Sequence, residues 1–473
     1  MSVWPQNWLT LPASHSPASA LGLAASLVAA ILAGLVRRRR TREVYRRGAL
    51  IRHPPRYCAR ARAGRSLTLA RMPIAPGDES KHFKLIGTTG TGKSSAIREL
   101  LTGALRRGDR ALISDPDAGY LRRFAERYRG DVVLNPFEPQ SLRWDLFGEL
   151  RQPYDVEQLA SALIVSSEDA SAQEWRGYAR TFVTALLQRC LSDGRRDLAE
   201  LWRLLAIAPL EELRAMVAGT PAQPFLEPDN ARMFGSIRSV AVSAIGALQY
   251  IQAQRAASLS VRSWVRQGRG VLFIPYRAGQ IAALRSMIAA WIRLAIFEAM
   301  SGAEERDQRL WFVVDELDAL GAIDGLKDAL ARLRKFGGRC VLGFQSIAQV
   351  SSTYGPGDAQ TIVENCGNTL ILRCSGSEHG GTSQFASRLI GEREVLRRQI
   401  SRGRDRSGLF AARNGTRSTQ VSEQLVTEAA VLASEIEQLP DMHGYLKTAS
   451  SRCWLRVSVP AGSDGTPAWR STI

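Results

Sequence analysis

Cysteine is scarce in this sequence, and its placement argues against two classes of protein. The six cysteines lie far apart, and no two of them form a C-x-x-C pair. Zinc sites and disulfide frameworks both need cysteines at close, regular spacings. The spacing therefore predicts buried thiols in a protein of a reducing compartment. Internal repeats and low-complexity tracts are also missing, so the chain is expected to fold rather than to remain disordered.

Acidic residues are too few to balance the basic ones. The chain has 63 Lys and Arg against 45 Asp and Glu, which leaves a net charge of +18. Such an excess favours a polyanionic partner, either nucleic acid or an anionic membrane surface. With 473 residues, of which 45% are hydrophobic, the chain is expected to form two or three domains.

Charge is absent altogether from residues 18–36, an apolar stretch long enough to cross a bilayer. Four arginines follow at 37–40, and Glu43 is the single acid among many further arginines before residue 66. A cleaved signal peptide carries its positive charges before the apolar stretch, whereas here they come after it. The pattern predicts one membrane anchor with the rest of the chain in the cytoplasm; the alternatives are a buried helix and a targeting peptide.

A phosphate-binding loop is the most specific motif. Residues 87–94 read GTTGTGKS, which matches G-x-x-x-x-G-K-[ST], with apolar strand and helix patterns on either side. Glycine amides and a helix N-terminus would bind the phosphates of a nucleoside triphosphate, Lys93 would reach the β and γ phosphates, and Ser94 would ligate Mg²⁺. The predicted nucleotide-binding residues are Gly87, Thr88, Thr89, Gly90, Thr91, Gly92, Lys93, Ser94 and Ser95.

Two carboxylates follow a second apolar strand. Residues 310–314 read LWFVV and precede Asp315 and Glu316. Ligands of open α/β sheets bind at the carboxyl ends of the strands. Asp315 is therefore predicted to hold Mg²⁺ together with Ser94, and Glu316 to deprotonate the attacking water. This arrangement favours hydrolysis of ATP.

Polar residues around the next strand extend this site. Gln345 follows the apolar residues 340–344 and could sense the γ-phosphate. The alternative is that Gln345 is only a neighbour of a helix cap. Arg332, Arg334 and Lys335 lie between the two strands. Their spacing leaves open whether an arginine reaches a neighbouring subunit's γ-phosphate or is merely solvated.

The order of these patterns predicts how the chain is organised. Further strand-like runs at 111–113, 132–134, 271–274 and 369–372 alternate with helical patterns, which indicates a parallel sheet covered on both faces. Between residues 154 and 258 the pattern becomes wholly helical. Residues 397–417, rich in Arg, Gly and Ser, are predicted to form a basic, mobile loop. The predicted division is a tail and transmembrane anchor at 1–36, a basic juxtamembrane linker at 37–66, a nucleotide-binding domain at 67–150 and 259–473, and an inserted all-α domain at 151–258.

From about Phe83 to Val459 the chain resembles the type IV coupling proteins of conjugation and secretion, the TraD-type ATPases. The stretches that carry the likeness are GTTGTGKSS, SDPDAGYLRRF, GDVVLNPFEPQSLRWDLFGEL, LWFVVDELDAL, VLGFQSIAQVSSTYG and ASEIEQLPDMHGYLK. The resemblance implies a RecA-like P-loop NTPase with an inserted all-α domain and an N-terminal transmembrane helix in the bacterial inner membrane. This sequence shows one apolar span, at residues 18–36, whereas members of the family commonly have two transmembrane helices.

The resemblance also implies a function and partners. Members are ATP-driven motors, homohexameric rings that deliver a relaxase-DNA substrate to a type IV secretion channel. By position, Lys93, Glu316 and Gln345 take catalytic roles, and Arg334 falls where the family places its trans-acting arginine. The helical insertion is linked with DNA recognition, which makes Trp175, Arg176 and Arg180 candidates for DNA contact. A chromosome-segregation or repair translocase and a catalytically weak membrane DNA receptor are the alternatives.

Overall fold

Short apolar segments form the strands of this protein. The computed structural model describes residues 43–54, 67–166, 169–302, 309–377, 380–404 and 417–461. In chain order the strands are β1 (Val44–Gly48), β2 (Ile51–Arg52), β3 (Thr68–Leu69), β4 (Met72–Pro73), β5 (Phe83–Ile86), β6 (Arg110–Pro116), β7 (Val132–Val133), β8 (Arg143–Trp144), β9 (Ser258–Leu259), β10 (Val271–Tyr276), β11 (Leu310–Val314), β12 (Gly338–Phe344), β13 (Asn368–Ile371), β14 (Glu392–Arg404), β15 (Arg417–Ala429), β16 (His443–Lys447) and β17 (Trp454–Ser458).

Helices connect most of the strands. They are α1 (Pro76–Glu79), α2 (Lys93–Arg106), α3 (Gly119–Phe124), α4 (Asp155–Leu163), α5 (Ala170–Ser192), α6 (Leu198–Ala206), α7 (Leu210–Val217), α8 (Ala231–Ala244), α9 (Leu248–Gln252), α10 (Val261–Gln267), α11 (Ile281–Ser301), α12 (Leu326–Arg332), α13 (Ile347–Tyr354), α14 (Pro356–Asn365), α15 (Gly381–Ile390) and α16 (Ala433–Glu437). Short 3-10 turns lie at Arg127–Arg129, Phe147–Glu149, Gln223–Leu226, Pro228–Asn230, Asp318–Leu320 and Leu333–Phe336.

Ten strands form one sheet in the order β2-β17-β16-β13-β5-β12-β11-β6-β10-β7. The seven strands from β13 to β7 are parallel, and β16 and β17 extend the sheet with antiparallel pairings. The predicted mainly parallel sheet is therefore confirmed. Parallel strands end at a common edge, so the segments that follow β5, β6, β11 and β12 meet there.

The core lies on the two faces of this sheet. Every residue of β5, β11 and β12 is buried, as expected for strands that are covered on both sides. Helix α2 packs against the sheet with a stripe formed by Ala96, Ile97, Leu100, Leu101 and Ala104. The predicted buried thiols are found at Cys190, Cys340, Cys366 and Cys374.

Helices α4 to α9 follow one another along the chain between β8 and β9. Their internal packing includes Phe182 on α5 against Phe234 on α8, with ring centroids 5.1 Å apart. The chain leaves for this helical region after β8 and returns through β9, and these two strands pair in parallel. The predicted boundaries of an inserted domain at 151 and 258 remain a prediction.

Residues 43–49, 391–404 and 417–430 belong to a separate unit. Its three strands are antiparallel in the order β1-β14-β15, and β14 and β15 pair without interruption from Glu392↔Ala429 to Arg404↔Arg417. The predicted mobile loop at 397–417 was therefore wrong for 397–404 and for 417; residues 405–416 lie outside the described ranges. Opposite charges paired across the strands explain the difference, because Arg398 binds Glu423 at 2.7 Å.

The predicted membrane anchor at 18–36 lies outside the described residues, as does most of the basic linker at 37–66. One part of that linker, residues 43–54, is described and contains β1 and β2. Within the described ranges, no helix combines the length and the apolar character that a bilayer crossing requires.

Candidate nucleotide site

The predicted phosphate-binding loop joins β5 to α2, and glycine allows its backbone to turn. Gly90 and Gly92 have φ values of 78° and 112°, in the left-handed region that favours glycine. Gly92 is also covered, since a Cβ atom there would lie 2.6 Å from the Sδ atom of Met442. Helix α2 begins at Lys93, so its unpaired first-turn amides stand at the loop. A loop of this kind binds phosphate through backbone N–H groups.

Lys93 lies buried at the base of the loop. Its ammonium group donates to the carbonyl oxygens of Gly87 at 2.5 Å and Thr88 at 3.1 Å. Burial lowers the pKa of Lys93, while the nearby carboxylates of Asp315 and Glu316 act in the opposite direction. The predicted lysine and the predicted carboxylates are therefore close enough to interact electrostatically.

Ser94 and Asp315 connect the two predicted halves of the site. The Ser94 hydroxyl donates to Oδ2 of Asp315 at 2.6 Å. Asp315 is only 5% exposed, and its other oxygen, Oδ1, has no hydrogen-bond partner among the described residues. A hydroxyl and a carboxylate are the hard oxygen donors that Mg²⁺ prefers alongside phosphate oxygens. The donor set present fits this metal.

Glu316 and Gln345 meet at the carboxyl ends of β11 and β12. The amide of Gln345 donates to Oε1 of Glu316, and its oxygen accepts from the Thr89 hydroxyl at 2.8 Å. Burial raises the pKa of Glu316, and the neighbouring carboxylates of Asp318 and Asp315 raise it further. The three side chains form a connected path from the phosphate-binding loop to the carboxylate.

These groups line one cavity of about 420 Å³. Most of the predicted nucleotide-site residues contribute to its wall, including the lysine, the serine, both carboxylates and the glutamine. Sequence reasoning missed several other lining residues, of which the polar and sulfur-bearing ones are Arg98, Asp117, Tyr120, Arg122 and Met442. Two of these are arginines, which add positive charge beside the loop.

The SDPDAGYLRRF stretch supplies three of these five residues, Asp117, Tyr120 and Arg122. It begins within the last residues of β6, and β6 pairs with β11 in the sheet. Tyr120 on α3 donates its hydroxyl to Oδ2 of Asp315 at 2.8 Å. Burial raises the pKa of Asp115, at the end of β6, to about 7. Since parallel strands share one edge, adjacency of β6 to β11 is the signal that could have found these residues.

Met442 reaches the loop from the start of β16. Its N–H donates to the carbonyl of Thr91 at 3.0 Å, and its φ of 64° is unusual for a non-glycine residue. On the same side, the carbonyl of Arg373 accepts from the N–H of Thr88 at 2.9 Å, and its guanidinium binds Asp441 at 2.7 Å. The LPDMHGYLK stretch therefore packs against the phosphate-binding loop and stabilises it. Local sequence patterns do not predict this role.

Arg334 lies apart from this cavity. It belongs to the 3-10 turn Leu333–Phe336 that follows α12, its side chain is exposed, and it does not line the cavity. Within the described ranges, no carboxylate lies within ion-pair distance of its guanidinium. Arg334 is thus available to a group outside its own chain.

The candidate DNA-binding residues lie on α5. Arg176 donates to the carbonyls of Val165 at 2.9 Å and Ser166 at 3.1 Å, and Arg180 donates to the carbonyl of Ile164 at 2.7 Å. Both arginines therefore cap the carboxyl end of α4. Trp175 and Arg176 also line a second cavity of about 1020 Å³ that lies away from the nucleotide site.

Comparison with known proteins agrees with this geometry. The family model for the type IV secretion-system coupling protein DNA-binding domain matches residues 66–460. Coupling protein TraD of Escherichia coli (strain K12) is 30% identical over 393 residues, which cover 80% of this chain and 52% of TraD. The type IV secretion system-coupling protein VirD4 of Bartonella quintana (strain Toulouse) is 26% identical over 42% of this chain and 34% of its own. The chain thus spans about half the length of the first relative and a third of the second.

Solved structures of the conjugative coupling protein TrwB share the fold. An unbound form that lacks the first 70 residues superposes with a TM-score of 0.80 at 29% identity, covering 91% of this chain and 96% of that one. TrwB in complex with the ATP analogue ADPNP gives a TM-score of 0.78 and covers 89% of this chain and 96% of the TrwB chain. TrwB in complex with ADP and Mg²⁺ gives a TM-score of 0.78 and covers 90% of this chain and 96% of the TrwB chain. The chain belongs to the type IV secretion-system coupling protein family.

Proposed function

We propose that the chain is an ATP-driven, DNA-binding coupling protein. It would recruit a relaxase-DNA substrate and pump the DNA to a type IV secretion or conjugation channel at the inner membrane. One observation carries the proposal: the lysine and serine of the phosphate-binding loop and the acidic pair after β11 lie in one cavity, although more than 200 residues separate them in sequence. The TrwB relatives with bound nucleotide support it.

The roles of the side chains follow from their positions. The amides of the phosphate-binding loop and Lys93 would bind the phosphates, and Ser94 and Asp315 would hold Mg²⁺. The metal would neutralise charge that develops on the phosphate oxygens during transfer. Glu316 would take a proton from the attacking water. Burial raises its pKa, and a more basic carboxylate is a better general base.

Gln345 would report the state of the γ-phosphate. It bridges Glu316 and Thr89, so it contacts both halves of the site. Helix α13 begins two residues later, at Ile347. Loss of the γ-phosphate would rearrange this bridge and shift the start of the helix, which is how hydrolysis would be coupled to movement.

A homohexameric ring would complete the site. Arg334 is exposed and has no ion-pair partner in the described part of its own chain, and it would reach the γ-phosphate of the neighbouring protomer. An arginine supplied in trans stabilises transition-state charge in related phosphoryl-transfer sites. The assembly would be held at the membrane by one N-terminal span at 18–36.

DNA contact would be mainly to phosphates and tolerant of sequence. The net charge of +18 supplies the attraction. Binding to single strands should weaken with salt, with a log-log slope of about −0.7 per neutralised phosphate. Arg176 and Arg180 remain candidates, although their hydrogen bonds to main-chain carbonyls also give both a structural role.

The test is ATP hydrolysis with and without single-stranded DNA, across protein concentration. We expect DNA to stimulate the rate, and the rate per protomer to rise with protein concentration, because the site is completed between protomers. Glu316→Gln should keep ATP binding and lower turnover at least about 100-fold, since it removes the general base. Unchanged DNA-stimulated hydrolysis in Glu316→Gln would refute the assigned base, and wild-type chain that neither binds nor hydrolyses ATP would refute the motor.

A further inference from the structure

A tyrosine outside the phosphate-binding loop contacts the proposed magnesium ligand. Tyr120 is 1% exposed, and its hydroxyl donates to Oδ2 of Asp315 at 2.8 Å. The same oxygen accepts from the Ser94 hydroxyl at 2.6 Å. Two hydroxyl groups from different helices therefore converge on one carboxylate oxygen. This arrangement holds the Asp315 side chain in a single orientation.

The helix that carries Tyr120 is itself anchored to the edge of the sheet. Asp115 accepts from the N–H groups of Tyr120 at 2.9 Å and Leu121 at 2.6 Å. The turn between them contains Asp117 and Ala118, with φ values of 57° and 54°, a conformation that non-glycine residues seldom adopt. Asp115 is the second-to-last residue of β6, which is adjacent to β11, so the turn and Tyr120 connect two neighbouring strand ends.

We propose that Tyr120 is a positioning residue for Mg²⁺ in the nucleotide site. Its hydroxyl holds Asp315 against Ser94, so that the two oxygen donors are already paired when Mg²⁺-nucleotide binds. The inference rests on the proposed function. Packing alone would be served by phenylalanine, which fills nearly the same volume. The hydroxyl, however, lies in a buried position where it needs a partner, and that partner is the carboxylate.

Magnesium-dependent binding of ADP by Tyr120→Phe tests the inference, because this readout does not depend on hydrolysis. The full chain is titrated with fluorescent ADP in EDTA and then across Mg²⁺ concentration. We expect affinity in EDTA to stay within about twofold of wild type. The Mg²⁺ concentration that gives half of the maximal increase in ADP affinity should rise about tenfold, because the charge-assisted hydrogen bond from Tyr120 to Asp315 is lost. An unchanged Mg²⁺ requirement overturns the inference.

Tyr276→Phe is the matched control. Tyr276 is a buried tyrosine at the end of β10, and its hydroxyl does not hydrogen-bond to Asp315. It should keep the wild-type Mg²⁺ requirement, whereas an equal rise in both variants would indicate a general loss of packing and overturn the specific role.

Asp115→Asn gives a second route if Tyr120→Phe does not fold. It weakens the anchor of the turn while the tyrosine remains, so a smaller rise in the Mg²⁺ requirement is expected, and no rise overturns the inference. Wild-type chain that binds ADP without any dependence on Mg²⁺ would instead refute the proposed metal site, and the role of Tyr120 with it.

Discussion

His82 connects three segments through a single buried ring. Its Nδ1 accepts from the N–H of Cys340 at 3.0 Å, and its Nε2 lies 2.9 Å from the carbonyl oxygen of Leu330, to which it donates. This pattern requires the neutral ring. Burial, assisted by the positive charges of Arg334 and Arg339, lowers the pKa of His82 to about 4. The ring thus fixes the end of α12, next to the turn that carries Arg334, against the sheet.

The contribution of His82 to stability should therefore fall in mild acid. An unfolded histidine binds a proton below pH of about 6.5, whereas folded His82 resists protonation down to about 4. The unfolded state gains protons in this window, so its free energy drops, and the loss at pH 5 should be about 2 kcal/mol. His82→Gln lacks this titration. Its stability deficit relative to wild type at pH 7.5 should shrink at pH 5, as measured by urea unfolding.

The comparison has to be made between the two proteins at each pH. Burial raises the pKa of Glu149 to about 6 and that of Asp115 to about 7, so protonation of both carboxylates stabilises the fold as pH falls through the same window. These opposing effects are common to wild type and variant and cancel in the difference. A deficit of His82→Gln that does not change with pH would contradict the assignment.

Gly343 is required by the close approach of two strand ends. A Cβ atom on this residue of β12 would lie 2.1 Å from the carbonyl oxygen of Asp315 and 3.2 Å from its Oδ1. Gly343→Ala should push the end of β11 away and displace Asp315 from Ser94. We expect a stability loss of about 2 kcal/mol or more and loss of Mg²⁺-ADP binding, both measurable by thermal unfolding with and without nucleotide.

Gly357→Ala is the control for that substitution. Gly357 lies in the first turn of α14, with open space around it and an ordinary φ. Alanine there should be neutral or stabilise the protein by up to about 1 kcal/mol. If Gly343→Ala behaves like Gly357→Ala and retains nucleotide binding, the packing at the carboxylate is looser than described.

At the scale of elements, Glu149 connects the segment that leads into the helical region with the segment that returns from it. It is fully buried and accepts from the indole of Trp144, the hydroxyl of Ser260 and the N–H groups of Val261 and Arg262. The Glu149 carboxylate, which lies just before the helical region, thereby caps the N-terminus of α10, which follows that region. The parallel pairing of β8 with β9 closes the same junction.

Glu149→Gln should loosen this junction. An amide presents only one oxygen to four donors, so about two hydrogen bonds are lost, at a cost of about 2–3 kcal/mol. Hydrogen exchange should accelerate at the amides of Val261 and Arg262. Glu157→Gln, an exposed change on α4, should leave exchange at these amides unaltered. Equal protection in both variants would show that the strand pairing alone holds the junction.

Elements with a local signal could be predicted from the sequence. The run LWFVV is apolar at every position and forms β11, and GTTGTGKS needs only its own glycines to turn. The strands β14 and β15 were not predicted, because their stability comes from pairs such as Arg398–Glu423, which are 25 residues apart in sequence. The roles of Tyr120 and Met442 were not predicted for the same reason. Their contacts with Asp315 and Thr91 can be predicted only when the order of strands in the sheet is known.

At the scale of the whole molecule, the proposed ring would divide each nucleotide site between two protomers. Lys93 and Glu316 line one cavity, whereas Arg334 of the same chain is exposed and does not line it. If Arg334 acts in trans, a defect in the loop and a defect in the arginine affect different interfaces of one protomer. The two defects should therefore complement each other when different protomers carry them.

Mixing Lys93→Ala with Arg334→Ala tests this arrangement. Each variant alone should be nearly inactive, because every interface in its ring lacks one group. In rings assembled from equal amounts, about a quarter of the interfaces pair an intact loop with an intact arginine, so about a quarter of wild-type ATP hydrolysis should return. Mixtures of Lys93→Ala with Glu316→Gln should recover nothing, since both changes damage the same side of the interface. Full activity of Arg334→Ala alone would mean that the site does not use this arginine. An inactive Arg334→Ala that shows no recovery in the mixture would mean that the arginine acts within its own protomer and not in trans.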